Sequence, residues 1–433
     1  SGVLAGQQGT LLFWGFLVSL FTLWLAVRSE FSAGMRNAQV VVMAIALCFI
    51  ALTLLDSPFK TIYETYDFPS DALPEDGNGL NPLLIDPWMA AHPPLMFIAY
   101  AVLAVPFALA LVYLSWSMRG DGAIYKEWIA NATTWCRISW LFLTLGIAVG
   151  GFWSYKVLGW GGFWAWDPVE TSSLVPWLLL TGAMHALAEH RHSEQRYAVL
   201  APTLVALSFV LVLYATLVTR SGFFESIHAF GSGEVGRYLV VMIAISAVAT
   251  ITLAINKYLR SESSKNEEEP LVNRANIFYA AILLFCILTF VSFWGITFPA
   301  LIKFFTGNKY VVTSSFFNIW SYPFFLAIML LAGLGLSYKP AEREKSVRIF
   351  AAFTALTVIF AFIKPSEALR LLDYSAIVSP EKPRFYEFVG SLSALSFLPP
   401  SFYLLMTSYE RAVEKLKSEQ AAKRIKGAGI AAV

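Results

Sequence analysis

Residues 94–118 read PLMFIAYAVLAVPFALALVYLSWSM, a run that contains no charged side chain. A bilayer core requires about 20 apolar residues per helix, because lipid cannot satisfy exposed backbone groups. The runs at 38–55 and 197–218 have the same character, and the run at 236–256 contains a single charged residue, Arg237. The chain is 57% hydrophobic and only 14% charged, whereas soluble domains carry roughly 25% charged residues. The sequence therefore predicts a helical membrane protein.

The lengths of the apolar runs predict an all-α polytopic membrane protein with about eleven transmembrane helices and long outer loops. In chain order the expected spans are 10–27, 38–55, 94–118, 136–152, 174–190, 197–218, 236–256, 275–302, 315–337, 348–363 and 388–410. The run at 275–302 contains Gly295 and Pro299, so it is expected to tilt or to end near residue 297.

Basic residues alternate between the two sets of loops, and this alternation predicts the orientation. About 21 of the 31 Lys and Arg residues fall in one set of loops, which is therefore cytoplasmic. The N-terminus is then outside and the C-terminus cytoplasmic, in a plasma (inner) membrane. The expected divisions are a bundle over 1–256, a charged cytoplasmic linker at 257–274, further helices over 275–410 and a basic tail at 411–433. The first residue is Ser1 rather than Met, which leaves open a native start further upstream.

Four outer loops, 56–93, 153–173, 219–235 and 364–387, are longer than ordinary connections, and loops of this length are commonly functional. The densest signal is GWGGFWAWDPVE at 159–170. Its aromatic residues, with one more just before it, are Trp153, Trp160, Phe163, Trp164 and Trp166. Indole rings can stack on a porphyrin, and their N–H groups can hydrogen-bond a carboxylate. The alternative is an interfacial aromatic belt.

Two histidines, His92 and His228, lie on the same predicted side of the membrane as the tryptophan loop. Imidazole is a common axial ligand of haem iron, so the pair could hold haem from opposite faces. A structural role at a helix end remains the alternative for each. His185 lies about 11 residues inside its expected span, at a depth of ~16 Å. At that depth it predicts either a functional group or a neutral imidazole bonded to a neighbouring helix.

Cations and carboxylates also flank these features. Arg220 and Lys156 could pair with haem propionates or simply extend to the membrane boundary. Glu170 is expected to cap the helix that begins near Thr171, whereas Asp167 could either cap it or orient a histidine. His190 and His192 are expected at the cytoplasmic interface.

The three cysteines, Cys48, Cys136 and Cys286, are expected to be small buried residues. The sequence contains neither CxxC nor CxxCH, so it encodes no thiol redox pair and is not itself a c-type cytochrome. No nucleic-acid partner is expected.

The stretch WGGFWAWDPVE, followed by Pro176 and Trp177, resembles the tryptophan-rich WWD signature of haem-handling proteins, in the form found in the CcmF family. Four other segments are similar to that family: LAGQQGTLLFW at 4–14, NPLLIDPWMAAHPPLMFIAY at 81–100, MHALAEHR at 184–191 and LVTRSGFFESIHAF at 217–230. Gln8 replaces an acidic residue of the family pattern, and FFNIWSYPFF at 316–325 is more weakly similar.

The resemblance implies a haem lyase component of cytochrome c maturation (system I), which holds haem for thioether attachment to the CxxCH of an apocytochrome c. No catalytic residue is implied beyond haem positioning. His92 and His228 would be the axial ligands of haem b held as substrate against Trp160, Trp164, Trp166 and Asp167. His185 would bind a second, b-type haem in the membrane. No histidine follows His228, so either a separate chain supplies the other ligand of that haem or the lineage has lost this haem.

The implied partners are the haem chaperone CcmE, a CcmH-type protein that presents the apocytochrome, and the apocytochrome itself. Two alternatives remain open. A haem exporter or haem-loading module resembling CcmC or CcsA shares the tryptophan signature. A membrane transporter of a non-haem solute is the more remote alternative.

Overall fold

The computed structural model describes residues 6–27, 33–65, 85–116, 122–157, 162–193, 196–224, 234–261, 270–364 and 384–430, with the single positions 69, 76 and 79. Its α-helices are α1 (Gln7–Val27), α2 (Ala33–Leu55), α3 (Ile62–Thr65), α4 (Pro87–Ser115), α5 (Gly122–Val157), α6 (Pro168–His190), α7 (Leu200–Arg220), α8 (Glu234–Arg260), α9 (Arg274–Thr306), α10 (Ser314–Ser337), α11 (Arg343–Ala361), α12 (Arg384–Gly390) and α13 (Leu398–Ile430). Short 3₁₀ helices occupy Pro340–Glu342 and Ala394–Phe397. The all-α prediction is confirmed.

In the described part of the chain, eight helices are long and apolar enough to cross a membrane: α1, α2, α4, α5, α7, α8, α9 and α10. The multi-pass prediction therefore holds, but the expected count of eleven is not confirmed. The spans expected at 174–190, 348–363 and 388–410 correspond to α6, α11 and α13, which are outside this set.

Several helix boundaries differ from expectation. The α9 helix continues through Gly295 and Pro299 to Thr306, so the expected end near residue 297 is wrong. One proline removes a single backbone donor, and a helix of 33 residues retains the others. The last expected span is broken near residues 391–393, because Pro399 and Pro400 suit the first turn of a helix and not its interior.

The chain forms two compact units, Ser1–Ser264 with Ser292–Val312, and Lys265–Val291 with Thr313–Val433. In the first unit, α4 and α7 are the most deeply buried helices, and Phe107 and Phe209 join them at 4.6 Å between ring centroids. The Ser139 hydroxyl of α5 donates to the carbonyl of Ala99 in α4 at 2.9 Å. These contacts make α4 the central helix of the unit.

In the second unit, α10, α11 and α13 pack around Tyr403, which is fully buried. The Tyr403 ring stacks on Phe353 at 4.6 Å and fills the space beside Gly333. The Tyr322 hydroxyl donates to Ser396 at 2.8 Å. The basic tail continues the α13 helix to Ile430.

The two ends of the first unit have different polar contacts. At one end, where α4 ends, the buried Lys257 ammonium donates to the Tyr113 carbonyl at 2.8 Å. His190, expected at the interface, is also fully buried there, since α6 ends against Tyr113 and Tyr125. Of the three cysteines expected to be buried, Cys136 is buried, Cys286 is half-buried and Cys48 is exposed, so the prediction is wrong for Cys48. The α4 helix begins at the other end, called here the His92 end.

Candidate functional site

The candidate site is a cleft at the His92 end of the first unit, between the first turns of α4 and α6 and the last turns of α5 and α7. Its cavity volume is about 180 Å³, less than the roughly 300–1,000 Å³ typical of ligand pockets, and the cleft is open at its mouth. Its walls include His92, Phe97, Trp153, Trp164, Thr216 and Arg220. The cleft therefore combines one imidazole, two indoles, one guanidinium and the carboxylate of Glu170.

His92 lies in the second turn of α4, not in the preceding loop as the sequence suggested. The helix starts early because the Asp86 carboxylate accepts a hydrogen bond from the Trp88 amide at 2.9 Å, and Pro87 occupies the first helical position. The Nδ1 atom of His92 is 2.7 Å from the carbonyl oxygen of Gly146 in α5. The half-buried ring is thus held between two helices.

The two indoles reach the cleft from different elements. Trp153 is in the last turns of α5 and is 7% exposed, whereas Trp164 lies in the loop before α6. Trp166 stands edge-on to Trp164, with 5.8 Å between centroids. Its φ of 59° is strained for a bulky residue, and such strain persists only where neighbouring contacts impose it.

Two hydrogen bonds impose the conformation of this loop. The Asp167 carboxylate caps α6 by accepting from the Val169 amide at 2.9 Å. The Glu170 carboxylate accepts from the Ala165 amide at 2.9 Å. The expectation that Glu170 caps a helix beginning near Thr171 is therefore wrong. Asp167 is the cap because Pro168 already occupies the first helical position.

Arg220, the last residue of α7, is buried in the wall of the cleft at 6% exposure. Its Nη2 atom donates to the Thr10 hydroxyl at 2.6 Å, and its guanidinium carbon is 6.0 Å from the centroid of Phe97. The Ser154 hydroxyl is also buried in this wall and has no hydrogen-bond partner among the described residues. The wall therefore offers a buried cation and a hydroxyl to an anionic ligand.

A comparison with known protein families shows which family this chain belongs to. Residues 4–224, about half of its length, match the family model described as cytochrome C assembly protein. The chain belongs to the cytochrome c assembly protein family.

Individual members of the cytochrome c assembly family are similar over most of this chain. The CcmF protein of Haemophilus influenzae is 32% identical over 368 residues, which is 84% of this chain and 54% of that protein. The CcmF protein of Escherichia coli is 31% identical over 83% of this chain and 54% of its own length. This chain spans about half the length of the curated relatives that it matches.

A solved structure has the same fold. The chain named cytochrome c heme lyase CcmF superposes with a TM-score of 0.66 and 24% sequence identity. The match covers 95% of this chain and 56% of that chain. The helical arrangement described above is therefore shared with that protein.

Five of the residues singled out from the sequence meet in the cleft of this family member: His92, Trp153, Trp164, Glu170 and Arg220. Three others are adjacent but outside the cleft wall: Phe163 and Trp166 in the loop, and Asp167 at the helix cap. Trp160 and His228 lie outside the described residues. Lys156, the other candidate partner of a propionate, pairs instead with Asp86 at 2.8 Å.

His185 is not part of the cleft. It lies 17 residues beyond Pro168, the start of α6, which is ~26 Å along the helix axis. Its Nδ1 atom is 2.8 Å from the Thr181 carbonyl of its own helix. The neighbouring Trp140 indole of α5 donates to the Thr181 hydroxyl at 2.9 Å. The structure thus separates His185 from the residues of the cleft.

Sequence reasoning missed Ser154, which lines the cleft. It also missed Thr10 and Gly146, which hydrogen-bond two of the lining residues, Arg220 and His92. Thr10 lies in the segment LAGQQGTLLFW, so the resemblance drew attention to that region but not to this hydroxyl. Ser154 follows Trp153 directly, yet an isolated serine gives no signal in sequence. The Gly146 carbonyl gives none either, because every residue carries one.

Proposed function

We propose that this chain is a haem lyase component, which holds haem b as a substrate in the cleft and presents it for attachment to an apocytochrome c. One observation carries the proposal: a single cleft joins His92, Trp153, Trp164 and the buried Arg220. Haem needs an imidazole for its iron, flat apolar surfaces for its ring and cations for its propionates. The names of similar family members, CcmF and cytochrome c heme lyase, support the same assignment.

Each residue of the cleft has a distinct part in this proposal. His92 is one axial ligand of the iron, and His228, outside the described residues, is the other. Trp153 and Trp164 lie against the porphyrin. Arg220 and Ser154 receive a propionate, which supplies the charge that a buried guanidinium and an otherwise unpartnered hydroxyl both favour.

The chemistry of the proposed reaction requires positioning more than a catalytic side chain. Each cysteine thiol of the apocytochrome adds across one haem vinyl group, so a C–S bond forms and the proton moves to the other vinyl carbon. Iron ligation by His92 and stacking on the indoles would fix the vinyl groups relative to the incoming thiols. Such orientation converts a bimolecular addition into an effectively unimolecular one.

The remaining assignments follow from the same proposal. The cleft would face the outside of a plasma membrane, consistent with the loop charges. CcmE would deliver haem and a CcmH-type protein would present the apocytochrome. His185 would ligate a second haem within the membrane, whose opposite ligand a separate chain could supply.

The absorption spectrum of the purified full chain, recorded with and without ascorbate, tests the proposal. Haem with two imidazole ligands gives a Soret band and, when reduced, sharp α and β bands. His92→Gly and His228→Gly should each weaken these bands, and added imidazole should restore them. His192→Gly is the control, since this residue is outside the cleft. Unchanged spectra in both cleft variants would overturn the assignment.

Retention of haem in cells that lack the chaperone would favour the exporter alternative.

A further inference from the structure

On α5, Gly146 and Gly150 form a groove, called here the glycine groove, that holds the proposed axial ligand His92. We propose that Gly146 and Gly150 are positioning residues, which select the tautomer of His92 and direct its Nε2 atom toward the haem iron. This inference rests on the proposed haem site and assigns the means by which its ligand is oriented.

The groove touches the histidine ring directly. A Cβ atom placed on Gly150 would lie 2.6 Å from both Nδ1 and Cε1 of His92 and 3.3 Å from Cγ. Real Cβ atoms do not approach that closely, so the ring occupies space that only glycine leaves. The preceding turn of α5 is packed equally closely, because a Cβ atom placed on Gly146 would lie 2.5 Å from the Met96 sulfur. Met96 is one turn below His92 on the same face of α4.

The hydrogen bond to Gly146 determines which ring nitrogen can bind metal. A carbonyl oxygen only accepts, so the Nδ1 atom at 2.7 Å must carry the hydrogen. The neutral ring then has its lone pair on Nε2. A backbone carbonyl that accepts from the distal nitrogen fixes both the tautomer and the ring plane of a metal-binding histidine, and it raises the basicity of the ligand.

Gly151, the next residue of α5, contacts the tryptophan loop and not the histidine. A Cβ on Gly151 would lie 2.8 Å from Cε1 and 2.9 Å from Cζ of Phe163. Gly150 and Gly151 therefore meet different partners, although they are adjacent in sequence. This arrangement permits a matched experiment, since one substitution affects the histidine and the other affects the loop.

The experiment compares Gly150→Ala with Gly151→Ala and Gly335→Ala in the full-length protein purified with haem. Gly335 is a helical glycine whose added Cβ would make only an ordinary contact, 3.6 Å from Ile277. It controls for the change in helix propensity. Gly150→Ala should reduce the fraction of low-spin haem by about tenfold, and added imidazole should restore it. Gly335→Ala should retain the wild-type spectrum, and Gly151→Ala should show no rescue by imidazole.

A double variant separates ring displacement from general disruption. In a His92→Gly background the space beside Gly150 is empty, so Gly150→Ala should cause little further loss of haem. Additive losses would overturn the inference. A wild-type spectrum in Gly150→Ala, together with an altered spectrum in His92→Gly, would also overturn it while leaving the proposed function intact. Wild-type spectra in both would instead remove His92 from the haem site.

Discussion

Arg220 donates a hydrogen bond from Nη2 to the hydroxyl of Thr10 at 2.6 Å, across 210 residues of sequence. Both side chains are buried, Arg220 at 6% and Thr10 at 8% exposure. The bond joins the first turn of α1 to the last turn of α7 at the His92 end. This bond holds the Arg220 guanidinium in the wall of the cleft, beside the Phe97 ring.

Removal of the Thr10 hydroxyl should destabilise this wall. Thr10→Val keeps the shape of the side chain but removes the acceptor, at a cost of about 1.5–3 kcal/mol for a bond to a charged group. We expect a lower thermal midpoint in detergent and weaker haem retention. Thr10→Ser keeps the hydroxyl and should remain close to wild type. Equal midpoints for the Val and Ser variants would show that this bond contributes nothing to stability.

Arg220 should recognise the haem propionates. Arg220→Gln removes the charge, so haem affinity should fall by about ten- to a hundredfold, which corresponds to roughly 1.5–3 kcal/mol. Haem dimethyl ester, which lacks propionate charges, should bind the wild-type protein and Arg220→Gln with similar affinity. Arg237→Gln is the control, since Arg237 is exposed near the start of α8. A full loss of affinity for the ester as well would indicate a structural role.

Trp164 should contribute stacking area to the bound porphyrin. Trp164→Ala should weaken haem binding by about tenfold, whereas Trp164→Phe should retain most of it because an aromatic face remains. Trp24→Ala serves as the control, since Trp24 packs edge-on against Trp135 in another part of the unit. Quenching of tryptophan fluorescence by added haem measures the affinities. Equal affinities for the two Trp164 variants would support the aromatic-belt alternative.

The ion pair between Asp86 and Lys156 should make the stability of the folded protein depend on pH in the acid range. The Lys156 ammonium, 2.8 Å away, lowers the pKa of Asp86 below its ordinary value, with help from the Trp88 amide. A carboxyl group with a depressed folded-state pKa stabilises the protein above its unfolded-state pKa of about 3.9. This contribution is lost as the pH falls through the lower, folded-state pKa.

Thermal midpoints recorded between about pH 6 and pH 3 test this sign. Asp86→Asn preserves the helix cap but cannot titrate, so its midpoint should fall less steeply with acid than that of the wild type. Lys156→Gln should also flatten the dependence, because it removes the group that lowers the pKa. A steeper acid dependence in Asp86→Asn would contradict the assignment.

The orientation of the chain remains a prediction from loop charges. In a background without Cys48, Cys136 and Cys286, Glu75→Cys should react with an impermeant thiol reagent added to intact cells. Ser418→Cys, in the basic tail, should react only after permeabilisation. The reverse pattern would place the cleft on the cytoplasmic side.

The sequence by itself determined the membrane-spanning, all-α character of this protein, because apolar runs longer than a bilayer is thick have few other stable structures. It also placed His92, the tryptophan loop and Arg220 at one end of the bundle, since successive helices reverse direction. Helix boundaries near proline were less predictable. Proline favours the first turn of a helix but is also tolerated within a long one, as Pro87 and Pro299 show.

Only the tertiary structure decided which side chains form the cleft. Trp164 lines it while Trp166 and Asp167 support the loop beside it, although all three lie within four residues. The contacts of Arg220 with Thr10 and of His92 with Gly146 depend on the rotation of each helix about its axis and on how closely the helices approach. Those quantities arise from the packing of many side chains together, and no local pattern in the sequence encodes them.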